Sequence, residues 1–345
     1  MSHEFESGFS VREVPWHGLG TILQDYPGSW AEARTLAGLD WDPEERPVYD
    51  VDQLYADGTA KVKVIEGFKQ VVRSDTGAVL DLAMDTYSII DHATMGEILE
   101  AVMEAGDGTL RYETAGSLYE GKKVWALVRV VEQREIPGDP SPMQPYVALL
   151  NSHDGTAALR VIATNVRIVC ANTWHAAEMD SEHRGSAFSF RHTRNWASRV
   201  EDAKKALSTT QAQIEATVEA ARTLLQLKVN KMQREDFIQQ YAIQRVIANT
   251  VGKKAWSKST LEQRLEQPRV QQALAATISQ LGHILDSRSC DGIRDTAWGL
   301  VQAGGEFADH VRESASPDSY FSRTVLADRE PLKVSALKIA EKVLA

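Results

Sequence analysis

The segment from Tyr146 to Trp174 constrains the fold more than any other part of this chain. It is the most apolar stretch of the sequence, yet two arginines and three asparagines interrupt it. A segment built only for a hydrophobic core would not carry these groups, and a solvent loop would not carry so many Val, Ile and Leu residues. The pattern therefore predicts either a half-buried sheet with one wet face or a buried segment with a polar network. Both make it a place to look for function.

The composition is that of a globular protein with two or three packed units. The chain has 345 residues, of which 43% are hydrophobic and 25% are charged. No apolar run approaches the roughly 18 residues that a membrane-spanning helix needs. The first ten residues are acidic and polar, unlike a secretory signal. Cys170 and Cys290 are the only cysteines and lie far apart, which favours the reducing cytoplasm of a cell.

The order of patterns predicts an α+β protein. An antiparallel β-hairpin sheet with helices is expected in the N-terminal half, followed by an all-helical C-terminal half. Residues 1–60 are rich in Trp, Pro, Gly and acids and are interpreted as an irregular lead-in packed on the core, with one short helix near Ser29–Ala37. Ser29 is its expected N-cap, with Glu32 at capping-box spacing. Residues 61–190 would form the α+β core domain and residues 191–345 the helical domain.

Turn and helix signals divide the core domain further. Turns are expected at Asp75–Gly77, Glu120–Gly121 and Asn151–Gly155. A helix is expected at Asp91–Ala105 from its apolar spacing. The loop Pro137–Pro145 holds four prolines and is predicted not to be part of a central strand.

The C-terminal half carries the spacing of helices. A long helix capped by Thr193 has a seam of apolar and small residues from Trp196 to Leu225, which favours packing within the chain, with a subunit interface as the alternative. Further helices are expected at Arg234–Asn249, Thr260–Glu266 with a capping box of Ser259 and Glu262, Val270–Leu285, Thr296–Glu313, and after Pro331.

A basic and aromatic window lies at the boundary of the two halves. Between Arg184 and Lys205, seven arginines, lysines or histidines face only two acids, and three aromatic residues are interleaved. Basic groups that meet phosphates beside aromatics that stack on bases are the chemistry of single-strand binding. The alternative is a solvated helix start whose aromatics face the core, and the net charge of −10 counts against nucleic acid. The predicted binding residues are Arg160, Arg167, Arg191, Arg194, Trp196, Arg199, Lys204 and Lys205.

Arg160 and Arg167 can line the same nucleic-acid-binding groove only if the strand between them is irregular. They are seven residues apart, an odd offset, so a straight strand places them on opposite faces. A bulge near Ala163–Asn165 would bring them together. Otherwise one of them, Arg167 in preference, is a structural arginine in a polar network with Asn165 and Asn172.

Catalytic and metal chemistry have weaker signals. The residues Cys170, His175, His183 and His192 lie in one window, but no pair has the spacing that presets two metal ligands on one turn. Cys170 with His175 as a nucleophile pair, and Asp81, Asp85 and Asp91 as a metal-dependent nuclease site, are the remaining alternatives. No nucleotide-binding or hydrolase motif occurs. The sequence therefore predicts a non-enzymatic protein without cofactor or metal.

Several blocks of the sequence, in order, resemble the phage/plasmid-like proteins, a family catalogued as domain of unknown function 932. The blocks are Trp16–Gly20, Glu113–Leu118, Lys123–Leu127, Asn151–Gly155, Arg167–Thr173, Phe190–Thr193 and Thr296–Gly299. The resemblance implies a phage or mobile-element origin and supplies no catalytic residues. At the level of fold, hairpins followed at once by a helix are similar to the RecT/Redβ-like single-strand annealing proteins.

These observations together favour a phage-encoded, non-enzymatic protein that binds and anneals single-stranded DNA during recombination or replication in the host cytoplasm. It is expected to be a homo-oligomer, with a phage exonuclease or a host protein as a further partner. The alternatives are a protein-binding module that acts on host or phage machinery and an unrecognised metal-dependent nuclease.

Overall fold

Two open β-sheets and a group of helices make up the described part of the chain. The computed structural model describes residues 5–12, 20–167, 172–175, 188–190, 192, 200–250, 260–311 and 331–344. The fold is α+β, and within the described ranges the strands precede the long helices of the C-terminal half. None of the helices in these ranges is both long and apolar enough to cross a membrane.

The main sheet has eight strands in the order β10-β9-β8-β7-β6-β1-β2, with β11 beside β9. All its pairs are antiparallel except β1 with β2, which is parallel. Its strands are β1 Phe5–Val11, β2 Thr21–Leu23, β6 Leu110–Leu118, β7 Lys123–Val130, β8 Met143–Ser152, β9 Leu159–Arg167, β10 Asn172–His175 and β11 Phe188–Phe190.

The small sheet is formed by residues that lie between β2 and β6 in the sequence. It has the order β3-β4-β5 and is antiparallel throughout. The strands are β3 Pro43–Leu54, β4 Ala60–Arg73 and β5 Val79–Met84. Because β5 pairs only with the stretch Phe68–Val72 of β4, the far end of the β3–β4 hairpin is a two-stranded ribbon.

The described residues contain eight α-helices. They are α1 Trp30–Leu36, α2 His92–Ala105, α3 Val200–Gln226, α4 Lys231–Thr250, α5 Leu261–Leu265, α6 Pro268–Asp286, α7 Ala297–Glu306 and α8 Pro331–Leu344. A short π-helical turn, Phe307–Val311, extends α7.

Several local predictions are confirmed. Ser29 caps α1 by accepting a hydrogen bond from the N–H of Glu32, and Asp91 caps α2 by accepting one from Thr94. The Glu32 carboxylate does not complete the capping box on Ser29, because it accepts from the N–H of Gly28 instead. All three predicted turns separate the strands as expected, and each contains a glycine with positive φ: Gly77, Gly121 and Gly155.

Three predictions are corrected. Residues 1–60 are not an irregular lead-in, because β1 and β2 belong to the main sheet and the boundary at residue 60 falls inside the β3–β4 hairpin. The prolines do not keep Pro145 out of a central strand: it lies in β8, one residue beyond the last pair with β7, where no bond to that strand is lost. The capping box of α5 is formed by Thr260 and Gln263, not by Ser259 and Glu262.

One face of the main sheet is covered by α1 and α2. Trp30 of α1 and Ile98 and Leu99 of α2 share a buried cluster with Val124 of β7 and Leu149 of β8. The two helices can dock closely because position 96 is a glycine. A Cβ atom at Gly96 would lie 2.1 Å from Cδ1 of Trp30 and would clash with its ring. Helix α3 packs against α2 and β9 beside them. Residues from the first 60 positions therefore form part of the central core.

The C-terminal helices form a second core around α7. Trp298 is fully buried there, and its indole Nε1 donates to the carboxylate of Asp139 at 2.8 Å, which ties the helices to the loop before β8. The second half of the predicted seam, Val218, Ala221 and Leu225, is buried in this core. That part of the seam packs within the chain, as the sequence favoured.

A fully buried ion pair lies in the same core. The ammonium of Lys333 on α8 lies 2.9 Å from the carboxylate of Asp309 in the π-helical turn, and the two side chains are 0% and 1% exposed. A charge removed from water in this way is tolerated because its partner is also held there.

Candidate functional site

The predicted nucleic-acid residues are dispersed. Arg160 and Arg167 lie at opposite ends of β9, and Lys204 and Lys205 lie near the start of α3. The side chains of Arg167, Lys204 and Lys205 lie outside the described part. So do the four remaining residues of the prediction, which are Arg191, Arg194, Trp196 and Arg199.

Arg160 and Arg167 do not share a face of the sheet. The pairing of β9 with β8 runs without a register shift from Leu150↔Arg160 to Met143↔Arg167. The bulge that would have changed the phase is therefore not formed, and the odd offset places the two positions on opposite faces. Position 160 falls on the face with Ile162 and Trp125, which form a small cluster of their own.

Position 167 falls on the side of the sheet that α3 covers. Leu159 and Val161 have the same phase and belong to the core beneath the helices. Asn165 also has this phase, and its amide is fully buried without a hydrogen-bond partner on either atom. The polar network expected around Asn165 is thus not formed by that side chain.

Three histidines, none of which is among the predicted binding residues, gather where the small sheet meets the main sheet. His92 begins α2, His153 lies in the turn after β8, and His192 lies beyond β11. All three are buried. The ring centroids of His92 and His153 are 5.3 Å apart, and Trp41 meets the edge of His92 at 4.5 Å. His192 stacks on the ring of Tyr87 at 4.8 Å.

The hydrogen bonds assign the protons of the inner pair. Nδ1 of His92 lies 3.2 Å from the carbonyl of Leu39, which only accepts, so this nitrogen carries the proton. Nε2 of His92 is then the acceptor for Nε2 of His153 at 3.3 Å. Consequently Nδ1 of His153 is a bare acceptor, and it is buried without a hydrogen-bond partner.

The hydrogen bonds of His192 assign its proton in the same way. Nδ1 of His192 lies 3.1 Å from the carbonyl of Ser88 and donates to it, and the backbone of the two residues is joined by a second bond of 3.0 Å. Its Nε2 is therefore a second buried acceptor without a partner. The hydroxyl of Tyr87 beneath it donates to the carbonyl of Ser152 at 3.1 Å, which fixes the turn that carries His153.

Burial keeps these imidazoles neutral. Desolvation lowers the pKa of His92 to about 4, and the positive charge of Arg34 contributes in the same direction. Desolvation lowers the pKa of His153 well below its ordinary value, with His92 and His192 adding to the effect. Desolvation also lowers the pKa of His192. Three neutral rings packed against Trp41 and Tyr87 form a joint between the sheets and hold no charge for a phosphate.

Two charged groups, Arg73 and Asp154, lie at the edge of this joint. The guanidinium of Arg73 lies 4.1 Å from the ring centroid of Trp41 and pairs with the carboxylates of Asp75 and Glu6. In the turn after β8, the hydroxyls of Ser152 and Thr156 donate to the carboxylate of Asp154. These bonds hold the pKa of Asp154 at about 2, against the opposing effect of burial.

The metal and nuclease alternatives find no assembled site in the described ranges. These ranges contain no group of three or more His, Cys, Asp or Glu side chains arranged to hold a metal ion. Asp91 is used as the cap of α2. Of the histidine and cysteine window, only His192 has a described side chain, and Cys170, His175 and His183 lie outside that description.

The second unusual feature is the exposed ribbon of the small sheet. We name the hairpin segment from Tyr49 to Val64, which lies beyond the pairs with β5, the arm. Nine of the sixteen large apolar side chains exposed in the described part lie on the strands of the small sheet, and Tyr55 lies in the turn between β3 and β4, so the exposure is concentrated there. The register places five of them on one face of the arm: Tyr49, Val51, Leu54, Val62 and Val64.

The opposite face of the arm is charged and internally balanced. Asp50 lies directly across from Lys63, and the ammonium of Lys61 is 2.8 Å from the carboxylate of Asp52. The arm is therefore amphipathic, with its polar face satisfied and its apolar face 42–71% exposed. The alternation that begins at Lys61 predicted a strand and a hairpin that turns at Asp75–Gly77. It did not predict β3 as the other neighbour of this strand, or that one face would stay uncovered.

The family model described as Domain of unknown function (DUF932) matches residues 79–331. The chain belongs to this family. The matched region begins at β5 and ends at the start of α8, so it includes the joint-forming His92, His153 and His192 and excludes the arm. Neither a curated protein nor a solved structure matches the chain.

Proposed function

We propose that this member of the family is a non-enzymatic assembly protein that binds another protein through the apolar face of the arm. The observation that carries the proposal is the uncovered apolar face of Tyr49, Val51, Leu54, Val62 and Val64. A host protein or another phage protein is the class of partner that the resemblance to phage/plasmid-like proteins favours.

The physical argument begins with the cost of leaving this face in water. A two-stranded ribbon has no second layer of its own and is at best marginally stable alone. The five side chains expose on the order of 500 Å² of apolar surface, the size of the largest patch on an ordinary monomer, which is often functional. An edge or a face left open in this way also invites unwanted pairing. A partner that covers the arm removes both costs.

The proposal predicts that two acidic substitutions in the apolar face abolish capture of the partner. The full chain, Val51→Glu with Val62→Glu, and a control with Asp50→Asn and Lys63→Gln on the opposite face would each be tagged and used to capture proteins from host lysate. The wild type and the control should retain the same partner protein. We expect the amount retained by the double glutamate variant to be at least tenfold lower, because each substitution removes about 1.5–3 kcal/mol of apolar burial. Equal capture by all three would contradict the proposal.

Single-stranded DNA binding is a second candidate function, and its proposed binding surface lies on one side of the main sheet. Position 167 has the phase of the face that α3 covers, and Lys204 and Lys205 lie in that helix. This common side is what supports the candidate, and Arg191, Arg194 and Arg199 come shortly before the helix in the sequence. Arg160 falls on the other face and is no longer part of the proposed surface. A phage exonuclease would be the natural companion of such an annealing protein.

This candidate predicts a salt-dependent loss of affinity. Arg191→Ala with Arg194→Ala is expected to weaken binding of a single-stranded oligonucleotide and to flatten its salt dependence by about one to two units of slope. Lys204→Ala with Lys205→Ala should act in the same way, whereas Lys228→Ala with Lys231→Ala, in exposed positions after α3, should leave the slope unchanged. Fluorescence anisotropy across a salt series measures both, and an absence of binding at low salt would remove the candidate.

A further inference from the structure

The occupant of the apolar face of the arm has to be as uncharged as the face itself. Four of its five residues are aliphatic and the fifth is Tyr49. On the opposite face, Lys61 pairs with Asp52, and Lys63 lies across from Asp50. No other described segment covers the face, since all five side chains remain exposed. A flat apolar surface of this kind is complementary to a second surface of the same kind.

We infer that the arm is a self-association device and that its occupant is the arm of a second copy of this chain, packed face to face. This inference rests on the proposed function, in which the face binds a protein, and puts a second copy of this chain in place of the host or phage protein considered there. Two such faces in contact would bury about 1,000 Å², the area at which specific interfaces begin. A two-fold axis would make the contact self-complementary and closed, so that it ends at a dimer.

The charge distribution favours a second copy over an arbitrary acidic or basic partner. The chain carries a net charge of −10, so two copies repel each other wherever their surfaces are acidic. The arm carries little of this charge, because Asp50 and Asp52 on β3 are matched by Lys63 and Lys61 on β4, and only Asp57 in its turn adds to it. Contact through the arms therefore joins two acidic bodies through projections that are nearly balanced in charge, with three aspartates and two lysines each.

Edge-to-edge pairing of the arms would not serve the same purpose. It would use the open hydrogen-bonding edge of β3 and leave the apolar face in water. Face-to-face contact is the arrangement that covers the exposed side chains.

The test is the solution mass of the full chain by light scattering after size exclusion, at about 1–50 µM. We expect the wild type at twice 38.2 kDa and Val51→Glu with Val62→Glu at 38.2 kDa, with association weakened by about 100-fold or more. The opposite-face control, Asp50→Asn with Lys63→Gln, should remain a dimer. Far-ultraviolet circular dichroism and thermal unfolding verify that each variant folds, which is expected because the changed side chains are exposed.

A charge-swap mixture tests whether arm meets arm. Val51→Lys with Val62→Lys should also be monomeric alone, and mixing it with the glutamate variant should restore a dimer that contains both. A monomeric wild type, a dimeric glutamate variant, or a mixture that stays monomeric beside a dimeric wild type would overturn the inference. If the wild type is monomeric while the glutamate variant still loses a captured partner, the self-pairing fails and the proposed function stands.

Discussion

Replacing Lys333 by methionine is expected to lower the free energy of unfolding by about 3–5 kcal/mol, because it leaves the carboxylate of Asp309 buried without its lysine. Both side chains are essentially inaccessible to water, and their charged atoms are 2.9 Å apart. The desolvation of the carboxylate is already complete in the fold, so the loss of the ammonium is not compensated by solvent. Urea denaturation followed by tryptophan fluorescence measures the change.

Two controls distinguish this effect from general damage to the core. The double variant Lys333→Met with Asp309→Leu removes both charges and is expected to recover most of the lost stability. Arg222→Ala breaks the exposed pair of Arg222 with Glu219 and should cost less than about 1 kcal/mol. If the single methionine variant were as stable as the wild type, the buried pair would not hold α8 against the π-helical turn.

Acidification from pH 6.5 to pH 4 is expected to destabilise the protein through the histidine joint. The folded pKa of His92 lies at about 4, below its ordinary value of 6.5, and burial lowers the pKa of His153 and His192 in the same direction. As the pH falls, the unfolded chain therefore takes up these protons before the folded chain does. Stability is complete above about pH 6.5 and is lost toward the folded pKa, at about 1.4 kcal/mol per pH unit for each histidine.

The contribution of His92 alone amounts to about 3 kcal/mol over that interval. The measurement is the free energy of unfolding in urea at pH 7, 6, 5 and 4.5, for the wild type and for His92→Gln. The variant cannot titrate at this position, so its stability should fall less steeply, by about one proton. His283→Gln, at an exposed position of α6, is the matched control and should follow the wild type. Parallel curves for all three proteins would refute a role of the joint in acid sensitivity.

Local elements of this fold were predictable where the signal lies within a few residues. The caps at Ser29 and Asp91 and the turns at Gly77, Gly121 and Gly155 follow from short-range hydrogen bonds and backbone conformations. The strands of the first 60 residues were not predictable in this way. β1 contains glycine and serine and finds its partner more than 100 residues later, and β3 is polar and exposed along most of its length.

The candidate sites also depend on contacts between residues that are far apart in the sequence. His92 and His153 meet across 61 residues, so neither position carried a local sign of the other. The offset of Arg160 and Arg167 did predict opposite faces for an uninterrupted strand, and the register of β9 is uninterrupted. Whether a strand face remains open, as in the arm, depends on what the rest of the chain covers, which periodicity does not encode.

The pairing of β1 with β6 has a consequence for how the protein is made. Gly8 pairs with Gly116, so everything from β2 to α2 is synthesised before β1 can pair with β6. The hairpins of the small sheet close over short loops and can form while the ribosome is still translating β6, whereas β1 must wait for a long-range contact. During that interval the β3–β4 hairpin that carries the arm has already been synthesised, and its strands are joined by a short loop. Two chains emerging on one messenger RNA would therefore be able to meet through their arms before either main sheet is complete.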